Sequence, residues 1–447
     1  MSRGSALVWV AIAAVLAGLV WWTSPRAIVS AAGPALLDAF TPSEVLSIEI
    51  KEPDGGIVSI ARGPIEGSWL LSPSADQPKA FVESSRVQGF LRLLSELRVG
   101  PSDGRPMPRA AIATLLGKNG PIAILAFDPE LLAGRGRVAL LSESGAVARV
   151  AVTTEDLAAL VRPEAVAEWR QRSLLPWAQE RSNSVLLLRG DRRVEMSRLG
   201  SGWMMTAPIQ MRADAGTAPG VALWLSNATI DRFLSGSDGA DSFAKPVRTI
   251  AVGTEALDRR RIEQRIELGG ELDARSSVVR ITGVDLDSGR PLWGPSIAVV
   301  QTSLLAGLSD DPSTYLPRTA FDFPSADVVA VRVGTVTVAR GGDGGFGELD
   351  ATVRALLRLL TEVRSPNVSL LPAAPTPGAE AVPVTLLGLG GATIGFATLE
   401  YESIAPTVEG TTSTPAIRVT VDSVRRVIPL ERAREFLAAV KSIGAVK

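Results

Sequence analysis

The sequence predicts an α+β protein: an N-terminal transmembrane helix, then three similar copies of a mostly antiparallel sheet with packed helices. Three observations predict it. An uncharged apolar run fills Ala6 to Trp22. A tryptophan phrase is written twice, as GSWLLSPSAD (Gly67 to Asp76) and SGWMMTAPIQMRAD (Ser201 to Asp214). A helix-like segment, FLRLLSELR (Phe90 to Arg98), returns as LLRLLTEVR (Leu356 to Arg364). Trp203 follows Trp69 by 134 residues, and Leu356 follows Phe90 by 266, twice 133. Two independent markers thus give one period, the mark of internal duplication.

The apolar run is about one membrane thickness long. Arg3 and the terminal amine precede it and only Arg26 follows closely, which favours a cytoplasmic N-terminus. Trp21 and Trp22 close the run, where an aromatic belt would meet the outer interface. A cleaved signal peptide competes, with Ser30-Ala31-Ala32 as its small-residue site, but that site lies roughly ten residues past the run. A buried soluble helix is the third reading. An uncleaved anchor is expected, with everything after about residue 40 outside the cytoplasm.

The expected divisions are an anchor and linker over 1–40, then units over 41–167, 168–313 and 314–447. The units open with SEVLSIEI (Ser43 to Ile50), SNSVLLLRG (Ser182 to Gly190) and ADVVAVRVG (Ala326 to Gly334). Alternating Val and Ile among polar residues reads as a sheet with one buried face. Each unit is expected to run strand, strand, Trp strand, helix, hairpin, hairpin, helix. The helix over Arg86 to Leu97 puts Val87, Phe90, Leu91, Leu94 and Leu97 on one face, a stripe made for packing on that sheet. LLGKNGPIAILAF (Leu115 to Phe127) and LLGLGGATIGFAT (Leu386 to Thr398) are matching hairpins with Gly at the turn. RVALLSESGAVARVAVTTEDLAALV (Arg137 to Val161) and IRVTVDSVRRVIPLERAREFLAAV (Ile417 to Val440) each give two strands and a short amphipathic helix. The middle unit loses the match over Arg259 to Ser309, and the third has ARGGDGGFG (Ala339 to Gly347) where a Trp is expected. The junctions EWRQRSLLPW (Glu168 to Trp177) and TYLPRTAFDF (Thr314 to Phe323) look repeated, and SLLPAAPTPGAEAVP (Ser369 to Pro383) reads as a Pro/Ala-rich mobile loop. Strands and helices come in runs, which favours antiparallel sheets over a doubly wound one.

Composition excludes more than it suggests. There is no Cys and no His, so disulfides, Cys nucleophiles, Cys/His zinc sites and a histidine base or triad are out. A net charge of -1 gives no nucleic-acid footprint. Carboxylate, Lys or Tyr chemistry survives, or no catalysis.

Each sharp candidate meets a plainer reading. Trp69 and Trp203 would make an aromatic platform if exposed, but a Trp recurring in a repeat is a core plug. Asp76 and Asp214 have the place of cation ligands, and equally of caps or turns ahead of a helix. LDSGR (Leu286 to Arg290) has the Asp-Ser-Gly of an aspartic protease but no second copy to share a proton, so it reads as a turn. LGLGGATIG (Leu387 to Gly395) has the glycines of a phosphate loop without the Gly-Lys-Ser/Thr that must follow, so it reads as a repeat hairpin. Glu400 and Glu402 are neighbouring acids with nothing to set them at glycosidase separation. No catalytic, cofactor-binding or metal-ligating residue is therefore assigned, and no cofactor is expected.

Val45-x-Ser47-Ile48-x-Ile50 after the apolar run, Trp69 with Pro73 and Ala75-Asp76, V-x-x-F-L-x-x-L-x-x-L over Val87 to Leu97, and Arg170-x-Arg172-x-Leu174-Leu175 form a pattern. It resembles the domain of unknown function 4340 family of bacterial envelope proteins over nearly all the chain past the anchor. The resemblance implies a single-pass protein of the bacterial inner membrane, its bulk periplasmic. It further implies an accessory role beside an ABC-type, gliding-motility-like transporter. It offers no catalytic residues, and the missing third Trp departs from the pattern. The expectation is a non-catalytic anchored scaffold, held in the bilayer by Ala6 to Trp22 and contacting envelope or transporter membrane proteins. An extracytoplasmic glycan- or peptide-binding module is the alternative, and a carboxylate-dependent hydrolase a third reading.

Overall fold

The computed structural model describes residues 33–445, less 39, 74–77, 101–105, 108, 133–134, 154–156, 235–238, 371–380 and 405–412. The run Ala6 to Trp22 lies outside the described residues, as do Asp76 and most of the Pro/Ala-rich loop. Among the described residues no helix is long and apolar enough to cross a membrane. Contacts divide the chain into two compact units, one of residues 1–63 and 67–171, the other of 64–66 and 172–447.

The first unit holds one sheet. Its strands are β1 (Ser47–Lys51), β2 (Ile57–Arg62), β3 (Trp69–Ser72), β4 (Ala80–Val82), β5 (Ala111–Gly117), β6 (Gly120–Leu132), β7 (Arg135–Leu141) and β8 (Val147–Thr153). They lie in the order β4-β3-β2-β1-β5-β6-β7-β8, every pair antiparallel. The chain therefore starts at a central strand, winds outward to one edge, crosses by α1 (Ser84–Glu96), and builds the other half by hairpins. Val87, Phe90, Leu91 and Leu94 of α1 are buried in one cluster with Ile48, Ile50 and Trp69. Each such side chain contributes roughly 1.5–3 kcal/mol by leaving water, which makes the apolar stripe the cause of the helix's docking. Two short helices, α2 (Leu157–Leu160) and α3 (Pro163–Ala167), end the unit.

The second unit holds two sheets. The first has β9 (Ser184–Arg189), β10 (Arg192–Leu199), β11 (Gly202–Ala207), β12 (Met211–Arg212), β13 (Arg232–Phe233), β14 (Arg248–Glu255), β15 (Arg261–Glu271), β16 (Ser276–Asp285) and β17 (Pro291–Gln301), with helices α4 (Thr217–Asn227) and α5 (Thr302–Ala306). Its order, β12-β11-β10-β9-β14-β15-β16-β17-β13, repeats that of the first unit and adds one strand. The added strand has a rudiment in the first sheet: Val99 bridges Ala151, and the Gly100 amide donates to the Val150 carbonyl at 2.9 Å.

The last sheet has β18 (Ala330–Val333), β19 (Val336–Ala339), β20 (Asn367–Leu370), β21 (Val382–Leu387), β22 (Thr393–Ile404), β23 (Thr414–Val421) and β24 (Val424–Pro429), with α6 (Asp350–Thr361) and α7 (Ala433–Ile443). Its order is β19-β18-β21-β22-β23-β24-β20.

The structure corrects several local expectations. The middle sheet's second half diverges in sequence yet is regular, four antiparallel strands of 8 to 11 residues. A short strand, β4 or β12, follows each Trp strand where none was expected. The last sheet lacks both strands that would follow β19. Gly341, Gly342, Gly344 and Gly345 stand there, a run without side chains to pack on a sheet, and the chain turns straight into α6. Ser369 and Leu370, placed in a loop, belong to β20, and Val382 and Pro383 to β21.

The junction occurs three times, not twice. Pro34-Ala-Leu-Leu, Arg172-Ser-Leu-Leu and Arg318-Thr-Ala-Phe precede the three sheets. The carbonyls of Pro34, Arg172 and Arg318 accept from the amides of Val99, Ile230 and Ser365, just past each long helix.

Candidate functional site

Glu400 and Glu402 are brought together, but by arginines. Arg418 donates through Nη1 to Glu400 Oε2 at 2.7 Å and through Nε to Glu402 Oε2 at 3.1 Å, and Arg425 also pairs with Glu402. Both acids stand on β22 facing β23, on the side of the sheet away from Ala397 and Leu399, which lie in the apolar core. Both carboxylates are thus held in ion pairs with arginines.

That arrangement recurs. Asp128 on β6 stands directly opposite Arg137 on β7, Glu267 on β15 opposite Arg280 on β16, and Glu400 opposite Arg418. The closest contacts are 2.6, 2.6 and 2.7 Å. These strand pairs hold matching places in the three orders. One cross-strand acid–arginine pair per sheet is thus built in, its depth greatest in the first, where both side chains are buried. Sequence reasoning missed all three.

The tryptophans are core residues. Trp69 is wholly buried, with the Arg62 guanidinium 4.1 Å from its ring centroid, and Trp203 is buried too. Burial lowers the Arg62 pKa from its ordinary value. Asp214 Oδ1 accepts from the amides of Gly216 and Thr217 at 2.9 and 3.1 Å, which caps the start of α4. In the LDSGR stretch, Asp285 Oδ1 accepts from the amides of Asp287 and Ser288 at 2.9 and 3.2 Å and shapes the β16–β17 turn. LGLGGATIG forms the β21–β22 turn, with Gly390 at φ +71°. Among the described residues no group of three or more Asp or Glu could hold a metal ion.

What sequence reasoning did not find is a cleft within the second unit, of about 530 Å³. One wall is β12 with Gln210, another the junction around Phe321, and a third the turns that begin β22 and β24. Phe321 and Phe323 stack with centroids 5.2 Å apart, while Phe396 is 53% exposed. Arg212 and Asp322 pair across the rim at 2.8 Å. At the base lies Arg426, 1% exposed, its Nε donating to the Pro317 carbonyl at 2.9 Å. Its Nη1 has no hydrogen-bond partner. Burial pushes the Arg426 pKa down to about 10, with Asp422 opposing. A buried donor without an acceptor costs about 1–3 kcal/mol, and this one lies beneath the cleft, closed off from solvent.

Sequence and fold comparisons add little to this geometry. No family model matches the chain, and no curated protein matches it. Among solved structures it is similar to a protein of unknown function from the DUF3598 family of Nostoc punctiforme. That likeness is 10% identical, covers 57% of this chain and 93% of that one, and has a TM-score of 0.07, which carries no argument.

Proposed function

We propose that the chain is a non-catalytic scaffold, anchored in a bacterial inner membrane by Ala6 to Trp22 with its bulk outside the cytoplasm. Its partners are envelope membrane proteins, first among them the permease of an ABC-type, gliding-motility-like transporter. The resemblance of the Trp, Val-x-Ser-Ile and junction patterns to the domain of unknown function 4340 family supports the transporter side of this reading. The observation that carries the non-catalytic side is the pairing of Glu400 and Glu402 with Arg418 and Arg425, which commits these two neighbouring acids to structure. A peptide-binding module is the second reading, favoured by the Arg426 cleft. The glycan form of that reading has lost its motive, since Trp69 and Trp203 are buried.

Protease added to spheroplasts is expected to digest the bulk of the chain, and a reporter fused at Lys447 to work only if it functions outside the cytoplasm. Pull-down through the intact anchor is expected to recover membrane proteins. A reporter active only inside overturns the topology. Turnover of a glycan or peptide abolished by a single Asp or Glu substitution overturns the scaffold.

A further inference from the structure

We infer that the edge of β12 and the Arg426 cleft beside it form a docking site for an extended polypeptide segment carrying a large apolar side chain. This rests on the reading of the chain as a binding scaffold and names the surface that binds.

In an antiparallel strand, successive residues turn their peptide groups to opposite sides. Ala213 N–H donates to the Trp203 carbonyl at 2.8 Å, so Ala213 faces β11 and its neighbour Arg212 turns its peptide groups outward. In the first sheet Phe81 holds the matching place on β4, and there the chain returns to cover it. Gln171 N–H donates to the Phe81 carbonyl at 2.8 Å, and Glu83 N–H to the Trp169 carbonyl at 2.8 Å. The second sheet keeps the latter rung, Asp214 N–H to the Tyr315 carbonyl at 2.7 Å. The former cannot form, because Pro317 stands where Gln171 does and proline has no N–H. The Arg212 carbonyl, at the lip of the cleft, thus lacks the rung that the Phe81 carbonyl has.

The cleft's chemistry selects what enters. Arg212 and Arg426 line it, and so do Asp322 and Asp422, so the lining is neutral overall. A free carboxylate would meet two acids, whereas a main-chain segment brings no net charge into a neutral lining. The partner's N–H would answer the Arg212 carbonyl, the pattern of strand addition at a sheet edge. Ile394 and the half-exposed Phe396 then call for an apolar side chain, since both leave aliphatic or ring surface to cover.

The test uses the full-length protein in detergent and a library of capped heptapeptides that alternate Thr and Val, the central residue varied over all twenty. Saturable binding is expected, with Phe, Trp or Leu preferred at the centre over Ala, Asp and Lys. Pro317→Gln restores the missing N–H, so it should raise the melting temperature while weakening the best peptide by about tenfold, the worth of a lost edge rung and its contacts. Phe396→Ser, at an exposed position, should weaken it likewise with the melting temperature unchanged. No saturable member of the library, or both variants binding as the parent does, overturns the site. If anchored pull-down recovers the same membrane proteins from both variants, the scaffold stands and this site falls. If the peptides bind as expected but pull-down recovers nothing, the site stands and the transporter reading falls.

Discussion

Tyr315 is one of two tyrosines in the chain, and its hydroxyl donates to the Ser309 carbonyl at 2.9 Å. Burial raises its pKa from 10.0 to about 12, with Arg248 working against the shift and Asp310 with it. The unfolded chain loses this proton from about pH 10, whereas the folded chain keeps it until about 12. In that window the folded state binds more protons, so the stability present below pH 10 falls as pH rises through it. A tyrosinate absorbance titration should show one late ionisation near pH 12, absent in Tyr315→Phe. Residues of the core were legible in the sequence, as Trp69 and the α1 stripe show. The ion pairs were not. Asp128 and Arg137 stand 9 residues apart, Glu267 and Arg280 13, and Glu400 and Arg418 18, because the intervening turns differ in length. No fixed spacing exists to be read, and only the strand register brings each acid opposite its arginine.

At the scale of the elements, alternation and Gly turns were enough to place most hairpins, and the 3–4 spacing enough to place α1, α6 and α7, while α4 was not singled out. Strands of two or three residues, such as β12 and β4, carry no period and could not be found that way. The missing rung at Arg212 of β12 was invisible too, since it depends on the N–H that residue 317 lacks. The middle hairpin β16–β17 shows a different demand. Gly283 lies opposite Trp293, and a Cβ built on it would sit 1.8 Å from the indole ring. That ring's Nε1 donates to Gln264 Oε1 at 2.9 Å, which fixes its place. Gly283→Ala should therefore destabilise the protein by about 1–3 kcal/mol through overpacking. Denaturant titration measures it, and an unchanged midpoint would mean that the ring moves aside freely.

For the whole molecule, two compact units imply more than one unfolding transition. Trp69→Ala empties a fully buried site in the first unit and should cost about 3–5 kcal/mol there. Calorimetry should show it lowering one transition while leaving untouched the one that Gly283→Ala lowers. A single transition displaced by both would show that the units unfold together. The strand orders carry a further consequence, one of timing. In every sheet the first strand made is an interior one: β1, β9 and β18 each pair at once with the next strand but wait for β5, β14 and β21 on their other side. Hairpins close over a few residues, whereas this second pairing must close a loop holding the edge strands and the long helix. Each copy thus has one slow, non-local step among many fast local ones. As the chain emerges from its N-terminus, the half-sheet and helix of a copy are complete before the strand that seals them exists. The first copy can finish on its own sequence. So the growing chain is exposed most at three moments, each ending when a single strand slides in beside the oldest one.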